Sequence, residues 1–169
     1  MHRLVALVVV GAFFATFGQA QTHKDSSARE QSEFGAEDKK WDRPVPVPTA
    51  VLQILRSAMK ASPEELPAEW LLASEIHLTE RDEIDLIVMG VGGLTLPHAA
   101  HFWVFRGAHG QHELVLSTGG DSLTVLDRKW KGFREIRVYN NTASTTSGTI
   151  YSFDGRRYVV RLQNTAPIG

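Results

Sequence analysis

The chain from Trp70 onward is a succession of short runs rich in β-branched and aromatic residues, separated by turns that contain glycine. Runs of this kind are typical of antiparallel β-strands, because their side chains fit a pleated, partly buried surface. The run HFWVFRG (101–107) is apolar on both faces, so it is expected to lie centrally in a sheet. Asp154 and Gly155 mark a tight hairpin. We predict an α+β fold that is mainly β, an antiparallel meander of seven to eight short strands with one N-terminal helix.

The predicted helix begins near Thr49, which can cap it. Its apolar positions recur at helical spacing; they are Val51, Leu52, Leu55 and Met59. A second helix start follows at Ser62, with Glu65 three residues later as in a capping box. Pro67 limits this second element to a single turn. Folded structure is expected to form one β-rich domain over residues 48–163, followed by a flexible C-terminus at 164–169.

The first twenty residues have the features of a signal peptide. His2 and Arg3 are basic, residues 4–17 are apolar, and small residues stand at Gly18 and Ala20. The apolar run is short for a membrane-spanning helix, which needs roughly twenty residues. We therefore predict cleavage after Ala20, export to the periplasm or the exterior, and no membrane anchor in the mature protein.

Residues 21–47 differ in composition from the rest of the chain. Residues 21–42 are polar, charged and almost free of aliphatic side chains, so they bury too little surface to offset the entropy of ordering. The alternating prolines of RPVPVPT (43–49) favour an extended spacer. We predict a disordered, proline-containing tail over this segment.

The composition of the chain excludes several kinds of functional site and binding partner. The chain contains no cysteine, which excludes disulfides, thiolate nucleophiles and cysteine-ligated zinc. Loss of Arg3 with the leader leaves 17 of the 18 basic residues against 19 acidic ones, a formal charge of −2. That charge attracts neither nucleic acid nor anionic lipid. The predicted partner is a protein or glycan of the cell envelope or the exterior, and it remains unidentified.

Several motifs carry a resemblance to a known group. They are DLIV (85–88), FWVFR (102–106), LTVL (123–126), GFREIRV (132–138) and YSFDGRRY (151–158). Together they resemble a group of small exported bacterial proteins related in pattern to the FG-GAP/VCBS type of β-propeller repeat. The resemblance implies that this chain folds as a degenerate form of the β-repeat domain. It implies no particular activity.

In that repeat family, the loop corresponding to LTERDEID (78–85) ligates calcium. Here His77, Thr79 and Arg81 fall where the first three ligands stand, and Asp82 falls where the family has glycine. Calcium takes six to eight hard oxygens, and an arginine places a positive charge beside the metal. We therefore predict that LTERDEID is the solvated turn of a hairpin, with no calcium and no catalytic carboxylate pair.

Histidine pairs form the other candidate metal site, at His98 with His101 and His109 with His112. Their spacing of three does not place both rings on one face of a strand. Polar turn residues are the favoured interpretation, and a zinc or copper site built from four histidines is the alternative.

Other patterns supply no site by themselves. MGVGGLT (89–95) follows a strand but leads into Pro97 rather than a helix, which argues against a phosphate loop and for a bulge or long turn. Ser117, His112 and Asp121 form a catalytic triad by residue type only. The aromatic residues are expected mainly in the core, and an exposed aromatic strip would suit a glycan or peptide.

These observations favour an exported, non-catalytic binding or inhibitor-like module. No catalytic, cofactor-binding or metal-ligating residue is assigned. The alternatives are a periplasmic protein that binds metal through histidines, and a hydrolase whose site is assembled from scattered residues.

Overall fold

The computed structural model describes residues 31–38, 41, 43–95 and 98–168, so the predicted leader and residues 21–30 lie outside it. Two antiparallel five-stranded sheets face each other, and a single α-helix lies against one of them. The α+β, mainly-β prediction is confirmed. The described residues form no helix long and apolar enough to span a membrane.

The described part of the chain contains ten strands and one α-helix. In chain order they are β1 (Glu33–Gly35), β2 (Pro44–Val45), α1 (Thr49–Met59), β3 (Leu71–Ile76), β4 (Asp85–Gly90), β5 (Ala100–Ala108), β6 (Gln111–Gly120), β7 (Ser122–Trp130), β8 (Phe133–Asn141), β9 (Thr145–Phe153) and β10 (Tyr158–Pro167). Short 3-10 turns at Ala68–Trp70 and Gly92–Leu94 join neighbouring elements.

Each sheet is largely a meander. The helix-covered sheet has the order β2-β3-β4-β5-β6, and the outer sheet has the order β1-β7-β8-β9-β10. The chain passes from one sheet to the other at Asp121, between β6 and β7. The amide of Asp121 donates to the Tyr139 carbonyl at 2.8 Å, and its carbonyl accepts from the Ala36 amide at 2.7 Å. These bonds fasten the corner to both β8 and the N-terminal segment.

The core has two parts because β4 and β5 are covered on both faces. Side chains between the sheets form the larger part, which includes Ile87, Met89, Phe102, Val104, Leu123, Ile136, Val138 and Phe153. The intervening side chains of β4 and β5 meet the helix, in a second cluster that includes Val51, Leu55, Leu86, Val88, Trp103 and Phe105. All six residues of β4 are buried. The prediction that residues 101–107 lie centrally is confirmed, since β5 pairs with both β4 and β6.

The helix begins one position differently from the prediction. Pro48 rather than Thr49 occupies the N-cap position, and no side chain caps the helix. Proline suits this place, because its ring presets the extended backbone that precedes the first turn. The capping box at Ser62 is confirmed: the Glu65 amide donates to Ser62 Oγ at 3.3 Å, and the Ser62 amide donates to Glu65 Oε2 at 2.8 Å.

The segment predicted to be a disordered tail over 21–47 differs most from expectation. Among its described residues, β1 pairs with β7, and β2 pairs with β3. Phe34 and Trp41 are fully buried, with ring centroids 4.8 Å apart in an edge-to-face arrangement. Two large aromatic rings, helped by the partly buried Ala36, Val45 and Val47, bury enough apolar surface to order a segment whose other residues are mostly polar.

The C-terminal end of the folded domain also lies later in the chain than predicted. The predicted flexible end at 164–169 is instead paired with β9 as far as Pro167, and the Ile168 amide donates to the Ser144 carbonyl at 2.8 Å. Backbone pairing orders these residues although their side chains are exposed.

Candidate functional site

A groove of about 630 Å³ opens at one end of the helix-covered sheet. It lies between the start of α1, the β3–β4 loop and the β5–β6 turn. Its lining is mainly apolar, from Val45, Pro46, Pro48, Ile84, Leu86, Gly107, Ala108 and Gly110, with polar groups from Glu75, Asp82, Glu83, Gln111 and His112. We call it the apolar groove. Ile84 is an accessible apolar anchor in it, since 45% of this residue is exposed.

Asp85 holds the two turns of the groove together. Its side chain is buried, with 2% of the residue exposed. Oδ2 accepts the Leu78 amide at 2.7 Å, and Oδ1 accepts the Gly107 amide at 2.9 Å. A Cβ at Gly107 would lie 2.4 Å from the Ile84 carbonyl oxygen, so only glycine allows the two segments to approach this closely. Burial raises the pKa of the Asp85 carboxyl, although its two hydrogen bonds act in the opposite direction.

The rim of the apolar groove is acidic. Glu75 and Asp82 are exposed, and Glu83 accepts the His109 amide at 3.3 Å. No lysine or arginine is among the described residues that line it. Apolar walls beside carboxylates suit an apolar group that carries a nearby positive charge.

The groove continues along the helix. A second depression of about 640 Å³ lies between the exposed side of α1 and the β5–β6 turn, and it shares residues 110–112 with the first. Ala50, Gln53, Ile54, Ser57 and Ala58 form its helical wall. An extended segment could therefore run from the apolar groove along the helix.

The structure places the residues of the resembled calcium loop in a turn. His77, Thr79, Arg81 and Asp82 lie between β3 and β4, while both Asp85 oxygens accept backbone N–H groups. Within residues 31–38, 41, 43–95 and 98–168, no three histidine, aspartate or glutamate side chains form a group suited to a metal ion. LTERDEID is a turn with exposed acids, as predicted, except that its last residue is buried.

The four paired histidines have separate surroundings. His98 Nδ1 lies 2.5 Å from Glu37 Oε1, and His101 Nε2 lies 2.8 Å from Ser117 Oγ. His109 occupies the β5–β6 turn with a φ of 52°, and His112 lines the apolar groove. His98 and His101 thus contact different side chains, Glu37 and Ser117, rather than each other.

Ser117 has a partner that sequence reasoning missed. The triad weighed by residue type joined it to His112 and Asp121, but Asp121 instead accepts the Asn141 amide at the corner, at 2.6 Å. His101 approaches Ser117 across the β5–β6 ladder and stacks on Trp103, with centroids 4.6 Å apart. Burial lowers the pKa of His101, which favours the neutral ring that a general base requires. The spacing of sixteen residues holds no signal for this pair, because the strand register creates it.

The aromatic side chains mainly form core, as predicted. Phe102, Trp103, Phe105, Phe153 and Tyr158 are buried. Trp130 is 41% exposed, and the Arg161 guanidinium stacks over it at 4.3 Å from its centroid. A single capped ring differs from the row of open rings that a glycan-binding strip presents.

Glu135 is a buried carboxylate on the outer sheet, and the side chains around it satisfy its hydrogen bonds. Its side chain accepts from Ser152 Oγ and from Arg161 Nη1, each at 2.5 Å, and from Arg128 Nε. Burial opposes ionisation, but these three donors together lower the pKa of Glu135. An acid whose oxygens all have donors is a poor candidate for proton transfer.

In MGVGGLT, Gly90 ends β4, while Gly92 and Gly93 lie in a short 3-10 turn, which fits the predicted turn rather than the bulge. Gly93 lies against Trp70, where a Cβ would come within 2.8 Å of the indole ring. The turn therefore allows the Trp70 ring to pack closely against the backbone. The next described element is strand β5 rather than an α-helix whose N-terminus could bind a phosphate.

Comparison of the chain with protein-family models, curated proteins and solved structures returned no match. Two features of the described residues are candidate sites: the apolar groove and the Ser117–His101 pair.

Proposed function

We propose that this chain is an exported, non-catalytic binding or inhibitor-like module whose binding site is the apolar groove. The observation that carries the proposal is a preformed apolar groove of about 630 Å³ with an acidic rim. Pockets of this size and character are the usual places where proteins hold ligands or partner side chains. Export is inferred from residues 1–20, and the FG-GAP/VCBS resemblance stays a prediction.

The chemistry of the groove favours a protein segment as its occupant. An aliphatic side chain would contact Ile84 and Leu86, and an adjacent lysine or arginine would face Glu75 and Asp82. No phenylalanine, tyrosine or tryptophan is among the described residues that line the groove, whereas glycan sites commonly use such a ring as a platform. Between the two predicted partner classes, the protein class is therefore the better fit.

A defined peptide series tests this proposal. We expect a peptide with a leucine flanked by two lysines to bind the full chain more tightly than its alanine-for-leucine and glutamate-for-lysine counterparts. The Ile84→Glu variant should bind at least tenfold more weakly, or about 1.4 kcal/mol, because it places a charge in the apolar wall. Titration followed by calorimetry or amide chemical shifts measures both effects.

Met59→Glu is the matched control, because Met59 is similarly exposed, at 43%, but lies at the end of α1 and does not line the groove. It should leave peptide affinity within twofold. Equal binding by all three peptides, or equal losses in both variants, would count against the groove as a peptide site.

The Ser117–His101 pair favours a hydrolase as the second candidate. A serine within hydrogen-bond reach of a neutral histidine is the minimum arrangement for an activated nucleophile. No described hydrogen bond fixes the other ring nitrogen of His101, and neither residue lines any of the grooves described here. The alternative histidine metal site draws no comparable support, since His98 and His101 contact Glu37 and Ser117 rather than each other.

Fluorophosphonate labelling distinguishes the two candidates. Under the binding proposal, we expect Ser117 to react no faster than an ordinary exposed serine. Mass spectrometry of the labelled full chain locates the modified residue. Fast labelling at Ser117 that is lost in His101→Ala, but retained in His112→Ala, would favour the hydrolase instead.

A further inference from the structure

The four sheet edges of the described chain are protected unequally. β1 and β2 are only three and two residues long, and short edges offer little to an incoming strand. The end of β6 lies against β8, where a Cβ at Gly120 would come within 2.4 Å of Val138. The fourth edge, β10, has ten residues and pairs only with β9 among the described residues.

The stretch of β10 from Leu162 to Ala166 lacks the features that usually keep edge strands apart. Proteins commonly protect such edges with charges, proline, bulges or a covering element. Residues 160–168 are all exposed, and Pro167 stands only at the end of the strand. The ladder bulges at Arg161, whose guanidinium pairs with Glu135 of its own sheet. From Leu162 to Ile168 the segment is regular, and it carries no ionisable side chain.

We propose that β10 pairs antiparallel with β10 of a second copy of this chain, through residues 162–166. The two outer sheets then form one ten-stranded sheet across a two-fold axis at Asn164. In this register, Leu162 of one copy lies opposite Ala166 of the other, and Gln163 lies opposite Thr165. The two Asn164 side chains meet at the axis.

A second copy suits this edge better than an unrelated strand. An antiparallel edge is complementary to itself under two-fold symmetry, so one contact satisfies the free backbone groups of both chains. The segment is uncharged, so self-pairing brings no like charges together. Pairing also ends growth, because each β10 becomes an interior strand.

The contact is small. Stable interfaces bury roughly 1,200–2,000 Å² in total, and five residues from each strand provide much less. We therefore expect a dimer that dissociates on dilution. Sedimentation of the full chain over an approximately hundredfold concentration range should show a monomer–dimer equilibrium.

Two substitutions at the axis test the register. Asn164→Lys places two positive charges directly opposite each other and should weaken the dimer at least tenfold, with an unchanged Tm at dilutions where both proteins are monomeric. Asn164→Cys introduces the only thiol in the chain, so mild oxidation should join two copies by a disulfide. Directly opposed residues are 4.5–5.5 Å apart at Cα, within the range that a disulfide spans.

Substitutions at Met59 are the controls, since this exposed residue lies on the helix, away from β10. Met59→Lys should leave the dimer intact, and Met59→Cys should cross-link far more slowly than Asn164→Cys. A natural chain that stays monomeric throughout the concentration range overturns the proposal and leaves the edge to a partner of another sequence. Dimers that survive Asn164→Lys, or equal cross-linking at both positions, overturn it as well.

Discussion

A chain that begins at Pro48 is expected to lose its cooperative unfolding transition. The truncation removes β1, β2 and the fully buried rings of Phe34 and Trp41. Truncating a buried aromatic residue to alanine costs about 3–5 kcal/mol. Loss of both rings therefore approaches the whole stability of an ordinary domain, about 5–15 kcal/mol.

Single substitutions in the full chain separate the two contributions. Phe34→Ala and Trp41→Ala should each lower the free energy of unfolding by about 3–5 kcal/mol in urea denaturation. Glu33→Ala, at an exposed position of the same strand, should change it by less than about 0.5 kcal/mol. If the shortened chain melted at the temperature of the longer one, residues 31–47 would be a tail after all.

Asp85→Ala is expected to lower the free energy of unfolding by about 3–5 kcal/mol. It deprives two amides, of Leu78 and Gly107, of their acceptor. Hydrogen bonds to charged groups contribute about 1.5–3 kcal/mol each, and relief of the buried charge offsets part of the loss. Urea denaturation measures the change. Asp82→Ala is the control in the same loop and should have almost no effect, because its side chain is exposed.

The free energy of unfolding of the natural chain should depend on pH through Asp85, and the sign of this dependence follows from the raised pKa. A raised pKa means that the folded state binds the Asp85 proton more tightly than the unfolded chain does. The contribution of this ionisation to stability is greatest below the ordinary aspartate pKa, about 3.9, and decreases as pH rises through the folded-state pKa. Asp85→Asn cannot ionise, so this decrease should be absent from its stability profile. An identical profile in both proteins would contradict the raised pKa.

The pattern of apolar and polar residues predicted a strand and its position in the sheet well where the strand is long enough to show whether one face or both faces are buried. β5 is the clearest case: its apolar residues on both faces indicated a central strand, because a single exposed face would require alternation. The N-terminal segment was mispredicted because composition averages over many residues. Two rings among polar neighbours leave the average low, yet they dock into a core that the rest of the chain supplies.

The candidate site was less predictable, since it is assembled by register and long-range contact. The sequence EIHLTERDEID contains several acidic residues, but no pattern in it indicates which of their side chains is buried. Asp85 differs from Asp82 because its position in the β3–β4 ladder points it towards Gly107, twenty-two residues later. The apolar groove needs three separate segments, and no local pattern indicates that they meet.

The pairing of β1 with β7 has a consequence for the time course of folding. Phe34 lies opposite Leu123, so the chain must close a loop of 89 residues before this contact forms. The pairings of the meander from β3 to β10 join near neighbours, so they can begin to form before this contact, although the domain is not stable until Phe34 and Trp41 have docked. We infer that the first residues of the domain to be synthesised are among the last to reach their place. Until then, the β7 edge stays unpaired and open to misassembly with another unfinished chain.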